Sequence, residues 1–297
     1  MKYLTLALLT TLSLSLRAQD DLMALLGDDA PQQDLAYATF KTTRVVNGQS
    51  IENPAPGVLL FIISHHFGTL NTGPYELFGL DQSTIRFGLE YGLNDHLALG
   101  FGRSSWEKTY DGFLKLKLLR QQTGKRNIPL SLSWFSSVAL NSLKWQDTER
   151  ENYFSSRLSY VHQLLMARKF SPGLSLQLSP SIIHKNLVPA AIDKNTAFAL
   201  GIGGRAKLTQ RTAFNFEYFY LLPDQYVNSV NNSLSLGFDI ETGGHVFQLH
   251  FSNSKPMFER GFITETQGKW SRGDIFFGFN ITRVFTMRKP EAFRSAD

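Results

Sequence analysis

The sequence predicts an all-β protein, a transmembrane antiparallel up-and-down β-barrel of about 12 strands, preceded by a short N-terminal segment. Three observations favour this fold. Apolar and polar residues alternate with a period of two, the alternating segments are long, and their connections are short and long in turn. We expect the barrel to occupy residues 57–286.

Period-two alternation is clear in "STIRFGLEYGL", where Ile85, Phe87 and Leu89 share one face and Arg86 and Glu90 share the other. Side chains of a strand point alternately to opposite faces of its sheet. Most segments have about 10–13 residues, which suits a tilted transmembrane strand better than the shorter strand of a soluble protein. The predicted strands are residues 57–67, 83–93, 96–105, 111–120, 128–140, 153–169, 173–185, 196–208, 211–222, 230–241, 245–253 and 274–286.

The connections and the two faces indicate a membrane barrel. Short connections such as residues 94–95 and 209–210 alternate with longer ones such as 68–82 and 254–273. Bacterial outer-membrane barrels have short periplasmic turns and longer outer loops. Because side chains do not fill a barrel of this width, we expect the apolar face to meet lipid. A soluble β-sandwich is the alternative.

The first 18 residues, "MKYLTLALLTTLSLSLRA", have a basic residue before an apolar stretch, which is typical of a secretory signal peptide. We expect export to the outer membrane of a Gram-negative bacterium, because the apolar stretch is too short for the alternative, a membrane anchor. The chain has no cysteine, which excludes disulfides, thiol catalysis and a lipoprotein anchor.

Residues 19–56 do not follow the barrel pattern. Residues 19–40 contain five aspartates and no basic residue, although the whole chain has a net charge of +5. "YATFKTTRVVNGQSIENPAPG" predicts a strand, a turn at Asn47-Gly48 and a short return. The segment is expected to be a plug in the lumen, a periplasmic hairpin or an arm that binds a periplasmic protein, and the composition of residues 19–35 also suits disorder.

The last predicted strand, "GDIFFGFNITRVF", closes on Phe285. A final strand that ends on an aromatic residue resembles the recognition signal of bacterial outer-membrane barrels. Here a C-terminal tail, residues 287–297, follows the aromatic residue. The basic residues of the body are scattered and form no nucleic-acid motif, so we expect outer-membrane lipid and no nucleic acid as a partner.

Several blocks of the sequence are similar to an uncharacterised family of exported β-barrel proteins of Bacteroidota, a family of unknown function. These blocks include "YATFKTTRVVNGQSIE", "ISHHFG", "YELFGLDQSTIRFGLEYGLND", "FERGFITETQGKW" and "GDIFFGFNITRVFTM". The resemblance runs over about residues 37–287 and implies an outer-membrane β-barrel. It implies no activity and no catalytic residues.

Polar residues on the inward face are the candidates for a solute path. In an open lumen they filter solutes, whereas in a closed lumen they must pair as an ion network. His65 and His66 point to opposite faces and so do not chelate one ion together. The candidates are His66, Arg86, Glu90, Lys115, Lys117, Arg157, Arg205, Glu217 and Asp239.

The connection 254–273 is long, aromatic and charged. Long loops of barrels often carry function. Glu259, Arg260 and Glu265 are therefore candidates for gating the lumen or lining a ligand mouth, and a solvated loop is the alternative.

The leading functional prediction is a channel or transporter for a small solute. A non-conducting anchor, whose residues 19–56 dock a periplasmic protein, is the alternative. We expect no catalysis, no cofactor and no metal site. An outer-membrane lipid hydrolase is a weaker alternative, since His162 and His184 lie on strands joined by a short turn, within possible contact, but no third catalytic group converges on them.

Overall fold

The structure is a computed structural model that describes residues 34–124, 126–145, 147–149, 151–226, 230–242 and 245–288. The predicted signal peptide, residues 19–33 and residues 289–297 lie outside the described residues. In the described part of the chain, no helix is long and apolar enough to cross a bilayer.

Twelve antiparallel strands form one closed barrel, which confirms the predicted fold. Neighbours in the chain are neighbours in the barrel, and the last strand closes it by pairing with the first. The predicted segment 153–169 begins one helical turn before its strand, because Phe154–Arg157 is a short 3-10 helix. The strands are β1 Val58–Thr69, β2 Ser83–Gly92, β3 Leu97–Ser104, β4 Tyr110–Leu119, β5 Ser131–Leu140, β6 Leu158–Ser171, β7 Leu174–Lys185, β8 Thr196–Lys207, β9 Thr212–Leu221, β10 Ser233–Thr242, β11 His245–Ser252 and β12 Phe276–Thr286.

The two ends of the barrel carry different connections. One end, the turn end, carries the start of β1, the end of β12 and the connections 93–96, 120–130, 172–173, 208–211 and 243–244. The other end, the loop end, carries the connections 70–82, 105–109, 141–157, 186–195, 222–232 and 253–275. The connection 120–130 is longer than expected because it contains the short strand Gln122–Thr123, which pairs with Asp34–Leu35.

The strands turn apolar side chains outward and polar side chains inward. On β2, Phe87 and Leu89 are 43% and 42% exposed, whereas Arg86 and Glu90 are 2% and 1% exposed. An outward apolar band with a polar interior is the arrangement of a barrel in lipid. The period-two alternation therefore gives the correct face for these residues.

Two segments that are not barrel strands fill the lumen. Residues 39–53 enter from the turn end, and a short helix from the loop end, α1 Glu259–Thr264, is buried over its whole length. The hairpin packs against apolar residues of β4–β6 and α1 against those of β6–β9, because a barrel this wide is not filled by its own side chains. The two apolar clusters consist of Phe40, Val45, Ile51, Phe113, Phe135, Leu165 and Ala167, and of Val161, Ile183, Ala197, Ala199, Phe219, Phe262 and Ile263.

Candidate functional site

Residues 39–53 form a hairpin inside the lumen, which we call the lumen hairpin. The backbone N–H of Val45 donates to the Gly48 carbonyl at 2.8 Å, and that of Ser50 donates to the Thr43 carbonyl at 2.9 Å. An Asn-Gly pair favours such a tight reversal of the chain. Of the three arrangements expected for this segment, the structure therefore shows the plug.

Glu217 of β9, a predicted solute-path residue, receives the tip of the lumen hairpin. Its carboxylate accepts the backbone N–H groups of Val46, Asn47 and Gly48 at 3.1, 2.9 and 3.0 Å. Successive backbone N–H groups at a turn form a concave site for an anion. Here the anion is a side chain of the wall, so Glu217 fixes the position of the hairpin tip.

Lys115 of β4 holds the returning arm of the lumen hairpin. Its ammonium group donates to Oε1 of Gln49 at 3.1 Å and to the carbonyl oxygens of Ser50 and Glu52 at 3.1 and 2.5 Å. All three hydrogen-bond positions of a lysine are thereby used. Lys115 is fully buried and holds a backbone rather than facing an open path.

The lumen hairpin and α1 meet at Arg44, a residue that the sequence analysis did not single out. Its guanidinium lies 3.2 Å from Oε1 of Glu90 on β2 and 3.0 Å from Oε1 of Glu259 on α1. Glu259 also accepts a hydrogen bond from Gln49 at 3.2 Å. One buried cation thus joins both lumen segments to the wall. The available signal was an arginine beside the predicted Asn47-Gly48 turn, in a segment for which entry into the lumen was one of three expected arrangements.

Arg86 is also paired rather than free. Its guanidinium forms a bidentate ion pair with Asp111 of β4, with a distance of 2.9 Å between Nε and Oδ1. A Cβ atom at Gly102 of the intervening strand would lie 2.3 Å from Nη2 of Arg86, so this pairing requires glycine there. The sequence analysis missed Asp111, although it lies on the inward face of a neighbouring hairpin.

Arg205, Asp239 and Lys117 lie toward the turn end. Arg205 lies 4.0 Å from Oδ2 of Asp239 and 3.5 Å from Oε1 of Glu241, which also pairs with Lys41 of the lumen hairpin at 2.7 Å. Lys117 is half-buried and, among the described residues, has no carboxylate within 4 Å. Of the predicted solute-path cations on strands, Lys115 and Lys117 have no ion pair in the described chain, and Lys115 is held by neutral oxygen atoms of the hairpin instead.

The three loop candidates all form buried or half-buried ion pairs, Glu259 with Arg44 inside the lumen and the other two at the loop end. Besides the Glu259 contact, Arg260 lies 2.5 Å from Oε2 of Glu107 and 2.9 Å from Oε1 of Glu265, and Lys185 of β7 lies 3.1 Å from the same Glu265 atom. Burial lowers the pKa of Arg260, but Glu265 and Glu107 more than offset it and the pKa is raised. The expectation of a solvated loop is wrong for these residues.

Arg157 lies outside the lumen, in the connection between β5 and β6. Its guanidinium stacks over Trp145 at 4.0 Å and donates to the carbonyl oxygens of Asn141 and Leu143 at 2.8 and 2.5 Å. It lines a cleft of about 480 Å³ at the loop end, which we call the loop-end cleft. Arg260 and Glu265 line the same cleft, so the structure brings together three residues that the sequence analysis assigned to different roles.

His66 is paired with His250 of β11, which the sequence analysis missed. Their Nε2 atoms are 2.8 Å apart, and Nδ1 of His66 lies 3.1 Å from the Lys255 carbonyl. Since a carbonyl only accepts, His66 donates from Nδ1 and accepts at Nε2 from His250. The rings meet above Gly278 of the strand between them, where a Cβ atom would lie 2.4 Å from the His66 ring.

The histidines on the outward face do not contact each other. Nδ1 of His162 lies 2.9 Å from Oγ of Ser136, and Nδ1 of His184 lies 2.8 Å from Oγ1 of Thr196. The register places His162 opposite Ile182, which separates it from His184. Among the described residues, no group of three or more acidic, cysteine or histidine side chains has the arrangement of a metal site.

Comparison with solved structures finds membrane barrels at low sequence identity. The NanC porin matches with 6% identity and a TM-score of 0.46, covering 76% of this chain and 98% of the porin. The KdgM porin matches with 8% identity and a TM-score of 0.45, covering 78% and 99%. An outer membrane channel from Pseudomonas putida F1 matches with 12% identity and a TM-score of 0.46, covering 79% and 97%.

A comparison with curated protein sequences found no significant match. The comparison with family models found one whose description is a membrane-bound beta barrel domain, matching residues 40–285. That range contains the lumen hairpin from Phe40 onward and nearly the whole barrel. The chain therefore belongs to the family of membrane-bound beta barrel domains known as DUF5777.

Proposed function

We propose that this protein lies in the outer membrane of a Gram-negative bacterium, with its turn end in the periplasm. The signal-like first 18 residues and the short turns at the end that carries both barrel termini support this orientation. Arg103, Arg168 and Arg283 lie near strand ends, each over an aromatic ring at 5.9, 5.1 and 5.1 Å. Long basic side chains at such positions reach lipid headgroups. A Bacteroidota origin stays a prediction.

The protein's function in that membrane is that of a closed scaffold rather than an open pore. The observation that carries this proposal is the ion-paired contact of the lumen hairpin with α1 through Arg44 and Glu259, which are both buried. The hairpin is also bonded to Glu217 and Glu90 of the barrel strands, and α1 packs against the strands through Phe262 and Ile263. We infer that residues packed in this way leave a solute no continuous water-filled path through the described part of the barrel.

The free energy of packing also favours the closed state. Phe40, Val45 and Ile51 of the lumen hairpin are 2–3% exposed. Burying each such side chain contributes about 1.5–3 kcal/mol. Withdrawal of the hairpin would return these side chains to water, so their burial favours the closed state.

A channel or transporter for a small solute, the leading prediction from the sequence, is the second candidate, and the lumen hairpin would act as its gate. The wall next to the lumen hairpin carries Arg86, Glu90, Lys115 and Glu217, so hairpin withdrawal would leave a hydrophilic surface on that side. Such a surface tolerates water and would filter ions. Opening of such a channel requires a partner that binds the withdrawn hairpin. We expect that partner to bind residues 34–38, which precede the hairpin at the turn end.

A lipid hydrolase has less support. Ser136 and His162 form a hydroxyl–imidazole pair on the outward face. Nucleophilic catalysis also needs a group that orients the histidine and donors that stabilise an oxyanion. Among the described residues, the ring nitrogens of His162 bond to Ser136 alone, so we assign this pair the role of satisfying a hydroxyl in lipid.

Single-channel recording in planar bilayers tests the closed scaffold, with a disulfide that locks the hairpin. A Cβ atom at Gly203 of β8 would lie 3.2 Å from Cγ1 of Val45, which suits a disulfide between Val45→Cys and Gly203→Cys. The native chain has no cysteine to interfere. We expect no stable conductance steps from the wild type or from the double variant, oxidised or reduced.

The matched control is Val45→Cys alone, which introduces the same side chain in the hairpin but has no partner thiol. The closed scaffold would be contradicted if the wild type and the reduced double variant showed conductance steps and the oxidised double variant showed none. That result would establish the gated channel instead. Steps that persist in the oxidised double variant would show a path that bypasses the lumen hairpin.

A further inference from the structure

We infer that the loop-end cleft is a binding site for a carbohydrate. Its volume of about 480 Å³ falls within the range of small-molecule sites, about 300–1,000 Å³. Its walls come from described residues of the connections 105–109, 141–157, 186–195 and 253–275 and from the ends of β6 and β7. In the proposed orientation the cleft opens to the exterior of the cell, and its role does not depend on whether the barrel conducts.

The floor of the cleft is a row of ion pairs. Glu107 contacts Arg260 at 2.5 Å, Arg260 contacts Glu265 at 2.9 Å, and Glu265 contacts Lys185 at 3.1 Å. These residues come from two loops and one barrel strand, so the row ties the cleft to the barrel. Because each charge is held by its neighbours, the floor is fixed in place before a ligand arrives.

Three buried polar atoms, each on a residue that lines the cleft, have no hydrogen-bond partner among the described residues. They are Nε of Arg260, Oε2 of Glu265 and Oδ1 of Asn152, and Arg260 is only 9% exposed. Buried polar atoms almost always have a partner, so these three await one. One is a donor and two are acceptors. Hydroxyl groups both donate and accept, and therefore a hydroxyl-rich ligand satisfies all three.

The aromatic side chain in the wall also suits a sugar ring. Trp145 is half-buried, and Arg157 stacks on it at 4.0 Å. An indole offers an apolar face to the C–H groups of a sugar while the polar groups of the site bond to its hydroxyls. The arginine stack fixes the indole, since two carbonyl groups hold the guanidinium.

The charges of the cleft favour a sugar over an inorganic anion. Four basic residues line it, but three acidic residues lie among them. Carboxylates at an anion site would repel the ligand, whereas they accept hydrogen bonds from hydroxyl groups. The basic residues are Lys144, Arg157, Lys185 and Arg260, and the acidic residues are Glu107, Asp147 and Glu265.

Binding of the full-length barrel to an array of neutral and acidic mono- and oligosaccharides tests this inference. The protein is kept in an amine-oxide detergent, because a maltoside headgroup is itself a sugar. Hits are titrated by calorimetry, with inorganic sulfate as the anion probe. We expect saturable binding to at least one sugar, weakened at least tenfold by Trp145→Ala and by Asn152→Ala.

Trp134→Ala is the matched control, since this tryptophan faces outward on β5 and its loss leaves the cleft intact. Folding of each variant is checked by heat-dependent migration on gels. Folded protein that binds no sugar on the array would overturn the inference. Saturable binding of sulfate without sugar, or sugar binding that Trp145→Ala leaves unchanged, would overturn it as well.

Discussion

The two sides of the lumen hold the hairpin by different forces. On the side of β2 and β4 the hairpin meets Glu90 and Lys115 through ion pairs and hydrogen bonds. On the side of β5 and β6 it packs against Phe135 and Leu165. The free energy of apolar burial is non-directional and scales with the buried area. The free energy of a buried ion pair is favourable only when the two groups have the right geometry. We infer that the apolar side supplies most of the free energy and the ionic side fixes the position.

Removal of the central cation should have the largest effect. Arg44→Met leaves Glu90 and Glu259 facing each other without the guanidinium that joins them. An uncompensated buried charge costs about 3–5 kcal/mol. We expect maleimide to label a single cysteine at the buried hairpin tip, Val46→Cys, roughly a hundredfold to a thousandfold faster in this variant.

Arg44→Lys is the control for this prediction. It keeps one positive charge but loses the planar group that reaches two carboxylates at once, so its labelling rate should lie between those of the wild type and Arg44→Met. Equal labelling rates in all three proteins would show that the ion pairs do not hold the hairpin.

A conservative change on the apolar side should have a smaller effect. Ile51 of the lumen hairpin is 2% exposed and belongs to the first apolar cluster. Ile51→Val removes one methylene group, which typically costs about 0.5–1.5 kcal/mol. The same cysteine should therefore be labelled roughly two to ten times faster. A change as large as that of Arg44→Met would show that this single methylene group retains the hairpin as strongly as the buried cation does.

The barrel was predictable from sequence because its signal is local. Alternation of apolar and polar residues over about ten positions shows which side chains of a strand share a face. The structure places Arg86, Glu90, Lys115 and Glu217 on the predicted inward side. The Asn47-Gly48 turn is equally local. These features need no knowledge of the rest of the chain.

The pairing inside the lumen was not predictable in the same way. Arg44 and Glu259 are 215 residues apart in the chain, and His66 and His250 are 184 apart. Entry of α1 brings Arg44 and Glu259 together, and closure of the barrel brings His66 and His250 together. The alternation of residues along the sequence does not predict either contact. Alternation therefore identifies which side chains face inward, but it does not distinguish a solute path from an ion network.

The smallest effect should come from the most exposed ion pair of the hairpin. Lys41 and Glu241 are 2.7 Å apart at the turn end, with side chains 37% and 24% exposed. Exposed pairs contribute about 0–1 kcal/mol, and salt screens them. Lys41→Ala should thus change the labelling rate less than Ile51→Val, and the difference should vanish at high salt. A large effect that persists at high salt would mean that the turn end, rather than Arg44 at the centre, retains the hairpin.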